Sequence, residues 1–173
     1  MYKGKEIIHI VAVDENMGIG KDNKLLYSIP KDLQYFRENT LGHSLLCGRK
    51  TYESFPKPLD RRIVQVVANR SKYKRYALED GLIEGLYSAK CNSDLLNTDK
   101  IFIVGGASLY EQTADVVDTL LITEIKSDGG YGKEADTFYT IPKGFVKVWE
   151  GVQQVCTVNG VVFKHTKWKK EDK

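Results

Sequence analysis

Ile7-Ile8-His9-Ile10-Val11-Ala12-Val13 is an almost unbroken apolar run. It is too short to cross a membrane, which takes ~18 or more apolar residues. It also lacks the alternation of a strand with one wet face. The run reads as a strand buried on both faces, which a sheet provides when helices cover both of its sides. Ser44-Leu45-Leu46-Cys47, Ile63-Val64-Gln65-Val66-Val67-Ala68, Ile101-Phe102-Ile103-Val104 and Leu120-Leu121-Ile122-Thr123 read the same way. Helices are expected between them, near Pro30 to Thr40, Thr51 to Phe55, Asn92 to Leu96 and Ser108 to Ala114. This alternation predicts an α/β fold: a single domain over residues 1–173, with a central, mostly parallel twisted sheet flanked by helices. Near the C-terminal end, Val146 to Thr157 and Val161 to Trp168 flank Asn159-Gly160, the pair preferred in two-residue type I′ turns. An antiparallel β-hairpin is therefore expected to close the sheet.

Composition narrows the partners. With 42% hydrophobic and 28% charged residues, the chain has the make-up of a folded soluble protein, not a disordered or fibrous one. Lys and Arg number 26 and Asp and Glu 23, a formal net charge of +3. That excess is too weak to imply nucleic acid, yet it suits a small anionic ligand. Cys47, Cys91 and Cys156 are far apart and form no CxxC pair, so neither a zinc site nor a disulfide framework is expected. Glu6 interrupts what would have to be the apolar core of a secretory signal. The expectation is a cytoplasmic monomer with no metal, nucleic-acid or membrane partner.

Two strand-to-helix turns carry chemistry. Ile101 to Val104 runs into Gly105-Gly106-Ala107-Ser108-Leu109-Tyr110. Glycines at such a turn let backbone N–H groups at a helix start meet an anion with no Cβ in the way. The spacing is neither the GxGxxG fingerprint nor a P-loop, and a Gly-Gly turn that only makes a tight connection is an equal reading. Leu45-Leu46-Cys47-Gly48-Arg49-Lys50-Thr51 repeats the theme with two cations and a threonine; taken alone, it reads better as two solvated surface cations beside an N-cap than as a phosphate site. Asn69-Arg70-Ser71 follows a third strand. Three polar or cationic strand ends imply one crevice at the carboxyl edge of the sheet, where open α/β sheets bind ligands. The set fits a phosphorylated dinucleotide, with Arg49 and Arg70 available to an extra phosphate.

Asp32 is the carboxylate of interest. Pro30 suits the first turn of a helix, and Leu33, Phe36 and Thr40 recur at the spacing of a core-facing side. At ~100° per residue, Asp32 lies about 40° from Phe36 on the helical wheel, at the edge of that face. It is either a first-turn acid favoured by the helix dipole or a pocket carboxylate that orients a nitrogenous heterocycle.

Taken together these segments resemble the dihydrofolate reductases. Val13-Asp14-Glu15-Asn16-Met17-Gly18-Ile19-Gly20-Lys21-Asp22-Asn23-Lys24-Leu25 resembles the family's first strand and mobile loop, and Ile29-Pro30-Lys31-Asp32-Leu33 its substrate helix. Gly48 to Ser54 and Val104 to Tyr110 resemble its two cofactor turns, and Asp136-Thr137-Phe138 its late loop. The likeness covers roughly residues 7–139, and its five motifs stand in the family's order. It implies hydride transfer from NADPH to 7,8-dihydrofolate, giving tetrahydrofolate. On that resemblance, Asp32 binds the pterin's 2-amino group and ring nitrogen, with Thr123 as its partner, and the proton arrives through water. Ile10, Ala12, Leu33, Phe36, Phe55 and Leu59 line the substrate pocket, with Val104 and Tyr110 at the pterin–nicotinamide end. Arg62 pairs with the substrate's α-carboxylate. Leu25 and the loop from Asn16 to Ser28 form a lid, with Tyr27 holding a water. Ala12, Ile19, Gly20, Gly48, Arg49, Lys50, Thr51, Asn69, Arg70, Ser71, Val104, Gly105, Gly106, Ala107, Ser108, Leu109 and Tyr110 contact the cofactor.

Four positions depart from the family's pattern. Leu26-Tyr27 replaces Pro-Trp, and Asp60-Arg61-Arg62 replaces Pro-Gly-Arg, which makes Arg61 a rival to Arg62. Ala107 stands where a third glycine is common, and Pro56-Lys57-Pro58 replaces a Gly-containing connection. Two other readings are a riboflavin-pathway pyrimidine reductase and a non-catalytic module on the same fold. Asp32 and Phe36 in their helical setting favour folate, and the retained Asp32 and Gly105-Gly106 argue against a module. Arg49 and Arg70, with Asn69 and Ser71, predict a preference for NADPH over NADH. In a titration of both cofactors, Arg49→Ala combined with Arg70→Ala is expected to bring the two affinities together; an unchanged ratio would overturn that assignment.

Overall fold

The computed structural model describes residues 1–68, 78–79, 81–127 and 134–171. At the centre of its main sheet is β1 (Glu6–Val13), flanked in parallel by β6 (Lys100–Ile103) and β7 (Thr119–Lys126). Beyond β6 lie β3 (Ser44–Gly48), β4 (Ile63–Val67) and β5 (Leu78–Glu79), all parallel. Beyond β7, β11 (Val162–Lys170) runs antiparallel and carries β9 (Phe145–Glu150) and β10 (Gln154–Val155) on its outer edge. A separate two-stranded pair joins β2 (Gly18–Gly20) to β8 (Thr137–Phe138). The α/β class, the mostly parallel sheet and the antiparallel C-terminal strands agree with the sequence reading.

The apolar run of β1 behaves as its composition requires. Ile7, Val11 and Val13 enter one core cluster with Leu46, Ile101, Ile103 and Tyr110. Ile8 and Ile10 enter another, with Leu45, Phe102 and Leu121, on which Tyr35 and Phe36 of α1 (Pro30–Thr40) pack. Successive residues thus feed opposite faces, as the pleat dictates.

Three expectations are corrected. The helix expected from Asn92 to Leu96 is α3 (Leu82–Leu95), much longer. Gly85, which lowers helix propensity, masks its start. A Cβ there would stand 2.5 Å from Val67 Cγ2, so glycine is what allows α3 to lie close on β4. Leu33 does not join the core face of α1: it is 48% exposed, and Tyr35, Phe36 and Thr40 make the inward contacts. The turn between β10 and β11 is wider than two residues. Cys156 N donates to Val161 O and Gly160 N to Cys156 O, with Gly160 alone of the loop at positive φ. Asn159 instead accepts from Val161 N and donates to Ser28 O.

One polar side chain lies inside the first cluster. His9 has no exposed surface; its Nδ1 lies 3.0 Å from the Tyr139 hydroxyl and its Nε2 2.7 Å from Thr113 Oγ1. Because the Thr113 hydroxyl donates to Leu109 O, it must accept from His9, so Nε2 carries the ring proton and Nδ1 accepts from Tyr139. Burial lowers the imidazole's pKa to about 3, and His9 is neutral. An unfolded histidine titrates near ~6.5, so the unfolded chain binds the extra proton first as pH falls. Stability measured by urea unfolding is therefore expected to decline as pH drops from 6.5 toward 3, with a shallower slope in His9→Leu. Tyr139→Phe, which strands the His9 acceptor, is expected to cost about 1–3 kcal/mol at pH 7.

Candidate active site

Across the sheet, Ala12 of β1, Thr123 of β7 and His165 of β11 stand in one row of paired positions. The first turns of α1 lie over this row. Pro30 starts the helix, and Asp32 falls in its first turn. The Thr123 hydroxyl donates to Asp32 Oδ1 at 2.6 Å. Burial raises the Asp32 pKa, and the Thr123 bond opposes that rise by favouring the charged form. Tyr35, one turn along, has its phenol raised by burial and by the Asp32 charge. The result is a mostly enclosed carboxylate with, among the described residues, one fixed donor and the rest of its hydrogen-bonding capacity available.

The expected pocket residues fall into adjoining groups. Ile10, Phe36, Leu59 and Val104 share one apolar cluster. Phe55 and Val104 share the next, with Cys47 and Val66. Ala12 packs with Leu26, Tyr27 and Ile29. Leu25 and Leu33 are exposed instead of packed. The two arginines separate cleanly. The Arg61 side chain is 70% exposed, with its backbone at φ +50°, whereas the Arg62 side chain is 3% exposed. Arg62 donates to Thr40 Oγ1, Asp60 O and Asp60 Oδ1. Asp60 also accepts both arms of the Arg37 guanidinium, which holds its carboxyl well below the usual range.

The two glycine turns meet. Gly48 N donates to Gly105 O at 2.8 Å, and Val104 N donates to Leu46 O at 3.0 Å. Gly48 and Gly106 precede α2 (Arg49–Ser54) and α4 (Ala107–Gln112), and neither helix start is closed by a side-chain cap. Gly105 has φ +123°, and a Cβ there would stand 3.2 Å from Thr51 Oγ1. The Gly105–Gly106 peptide is cis, and Ala107 is not at positive φ. Arg49 pairs with Glu53 one turn on, and Lys50 is exposed. Leu109 and Tyr110 are buried, and Tyr110 donates to Ile10 O at 2.7 Å, tying α4 to β1. Ser108 is exposed. Thr51 thus stands against Gly105 and Gly106, where two helix starts at the carboxyl ends of β3 and β6 carry little side-chain bulk, an arrangement that fits a phosphate-bearing cofactor. Asn69, Arg70 and Ser71 lie outside the described residues.

The loop after β1 is pinned at both ends. Asp14 Oδ1 accepts from Asn16 N and Gly18 N, while Gly20 O accepts from Asp136 N. Ile19 packs against the main core cluster. Leu26 and Tyr27 are buried with Ile125, Cys156, Val161 and Phe163, so the Tyr27 end is rooted in the core.

Sequence reasoning missed His165. Its Nδ1 lies 2.9 Å from Thr123 Oγ1, and its ring stacks on Tyr35 with centroids 3.7 Å apart. The signal was its place in the alternation Val161, Phe163, His165, on the side of the strand where the first two are buried.

Comparison with known proteins places this geometry. The family model for dihydrofolate reductase matches residues 6–169. The chain is similar to the dihydrofolate reductase of Bacillus subtilis, 37% identical over 123 residues, covering 69% of this chain and 68% of that one. It is 33% identical over 130 residues to the Haemophilus influenzae enzyme, covering 75% and 76%. With the Staphylococcus aureus enzyme it shares 32% identity over 148 residues, 84% of each chain. With an Asp32–Thr123 pair and two touching glycine turns on a chain matched across nearly its whole length, this protein is a member of the dihydrofolate reductase family.

Proposed function

We propose that the protein reduces 7,8-dihydrofolate to 5,6,7,8-tetrahydrofolate with NADPH, acting as a cytoplasmic, single-domain monomer in one-carbon and thymidylate metabolism. The observation that carries this reading is Asp32: a carboxylate largely removed from water, with one hydroxyl donor and open acceptor sites among the described residues. A flat heterocycle bearing an amino group and an adjacent ring N–H matches those sites with two parallel bonds. When bound, NADPH supplies the hydride. Asp32 orients the pterin and draws positive character onto it, so that its imine nitrogen takes a proton more readily. Among the described residues no second carboxyl group lies beside Asp32, which supports water as the proton's carrier, with the Tyr27 hydroxyl holding that water. Ile10, Ala12, Phe36, Phe55, Leu59 and Val104 exclude bulk water and hold the two rings in register, with Leu33 at the exposed rim. Leu25 and the loop before it close over the substrate.

Arg62 binds the substrate's α-carboxylate. Its guanidinium is already oriented by Thr40 and Asp60, so little freedom is lost on binding. Gly48, Thr51, Gly105, Gly106 and Ala107 hold the pyrophosphate, with Ser108, Leu109 and Tyr110 behind them. Ile19 and Gly20 cover the nicotinamide, and Arg49, Lys50, Asn69, Arg70 and Ser71 hold the adenosine end and its phosphate.

The test is NADPH oxidation with dihydrofolate, followed by absorbance. Asp32→Asn is expected to lower kcat/KM by about 10²- to 10⁴-fold; no turnover by folded wild-type protein, or turnover of a pyrimidine substrate instead, would overturn the assignment. Arg62→Gln is expected to raise the KM for dihydrofolate about 10- to 100-fold, and Arg61→Gln to leave it within about 2-fold. The reverse order would make Arg61 the anchor. Because burial raises the Asp32 pKa, substrate binding is expected to weaken on acidification at a pH above the ordinary aspartate value, and Asp32→Asn to abolish that limb.

A further inference from the structure

The proton positions along Asp32, Thr123 and His165 follow by elimination. A threonine hydroxyl has one hydrogen, and an ionised carboxylate has none. Thr123 stands 2.6 Å from Asp32 Oδ1 and 2.9 Å from His165 Nδ1. Its hydrogen must go to the carboxylate, so its lone pair faces the imidazole, and Nδ1 must carry a proton and donate it. The neutral ring is then the Nδ1–H tautomer, with its lone pair on Nε2. The chain reads Nδ1–H to Oγ1–H to Oδ1, and each bond in such a chain polarises the next.

Packing holds this arrangement in place. The His165 ring lies nearly parallel to Tyr35, with 12° between their planes, and Phe163 meets its edge at 5.7 Å between centroids. Its backbone carbonyl accepts from Gly151 N. His165 is only 8% exposed, a costly position for an imidazole where an aliphatic side chain would fill the space without a polar group to satisfy.

We propose that His165 is a positioning residue for the Asp32 carboxylate: its Nδ1–H keeps the Thr123 hydroxyl turned toward Asp32, and its own ionisation couples to that of the carboxylate. The catalytic part of this assignment rests on the reductase reading above. The imidazole nitrogen lies 3.7 Å from Asp32 Oδ1, so a proton added at Nε2 creates a cation beside the carboxylate and favours its charged form. By reciprocity, the charged carboxylate favours the protonated ring, and the two titrate as a pair. Burial opposes both charges, raising Asp32 and lowering His165. Among the described residues, the groups facing His165 are few. From α1 they are Asp32 and Tyr35, the latter a neutral phenol whose pKa is raised. From β7 there is Thr123, which does not titrate. On β11 itself, Lys167 two residues on is exposed. Glu124 and Glu150, on the neighbouring strands, are engaged by Lys147 and Lys164 and pair with Lys164 and Thr166, on the opposite side of β11.

Two variants separate positioning from packing. His165→Asn places an amide N–H where Nδ1 stood and does not titrate. His165→Phe keeps the stack on Tyr35 but has no donor. The Asp32 carboxyl carbon, labelled with ¹³C, is titrated by NMR in protein without substrate, and kcat and KM are measured against pH. Wild-type protein is expected to show two linked steps at Asp32, and each variant one. The midpoint in His165→Phe is expected about half to one pH unit above that in His165→Asn, because the polarised donor is lost. At pH 7, kcat/KM is expected to fall about 2- to 10-fold in His165→Phe and to return to within about 2-fold of wild type in His165→Asn. Three identical Asp32 titrations, or equal impairment of both variants, would overturn the role of His165 even with turnover intact. Wild-type protein that turns over no dihydrofolate would overturn the reductase reading and the catalytic part with it, which the substrate-free titration keeps distinct.

Discussion

A carboxylate taken out of water needs donors, and the hydrogen bond from Thr123 to Asp32 is the contact around which this site is organised. Without it, burial alone would favour a neutral acid that offers fewer acceptor sites to a cationic or donor-rich heterocycle. The bond joins α1 to β7, elements 91 residues apart in sequence. Its geometry therefore depends on β1 lying between β6 and β7 with both faces covered. The apolar run of β1 fixes that sandwich, the sandwich fixes where Thr123 sits, and Thr123 fixes the carboxylate.

The second half of the site depends on close backbone approach. The turns after β3 and β6 touch through Gly48 and Gly105, and Val104 is bonded to Leu46 just behind them. Because β3 and β6 are adjacent parallel strands, both turns emerge at the same edge of the sheet. Val104 thus belongs to two apolar clusters at once, packed toward Phe36 on one side and Phe55 on the other.

How much of this was legible in the sequence varied with how local the cause was. Double burial of β1, the strand ends rich in glycine and cations, and Asp32 at the margin of an apolar helix face are local patterns, and each could be read directly. Thr123 as the partner of Asp32 came only through family resemblance, since register across a parallel sheet has no local signature. The start of α3 was hidden because Gly85 argues against a helix by propensity, while its reason for being there, the nearness of Val67, is tertiary. Leu33 had the right spacing for the core yet stayed exposed, because helical periodicity gives the phase of a face and not the width of what covers it. Asn159-Gly160 suggested the tightest turn, but the Asn159 side chain is spent on Ser28 and on Val161 in a wider loop. His165 was passed over because one histidine within a strand alternation says nothing about the threonine and tyrosine that other elements bring beside it.

The bond from Asn159 to Ser28 O spans 131 positions of the chain, and His165 reaches Thr123 from the same C-terminal segment. A ribosome delivers residues 1 to 126 before either contact has a partner. The nascent protein can therefore assemble its parallel core while Ser28 is still untethered, and Asp32 and Thr123 gain their full set of described neighbours only when β11 docks. The neighbours of Asp32 are thus completed by the strand that follows every other one described.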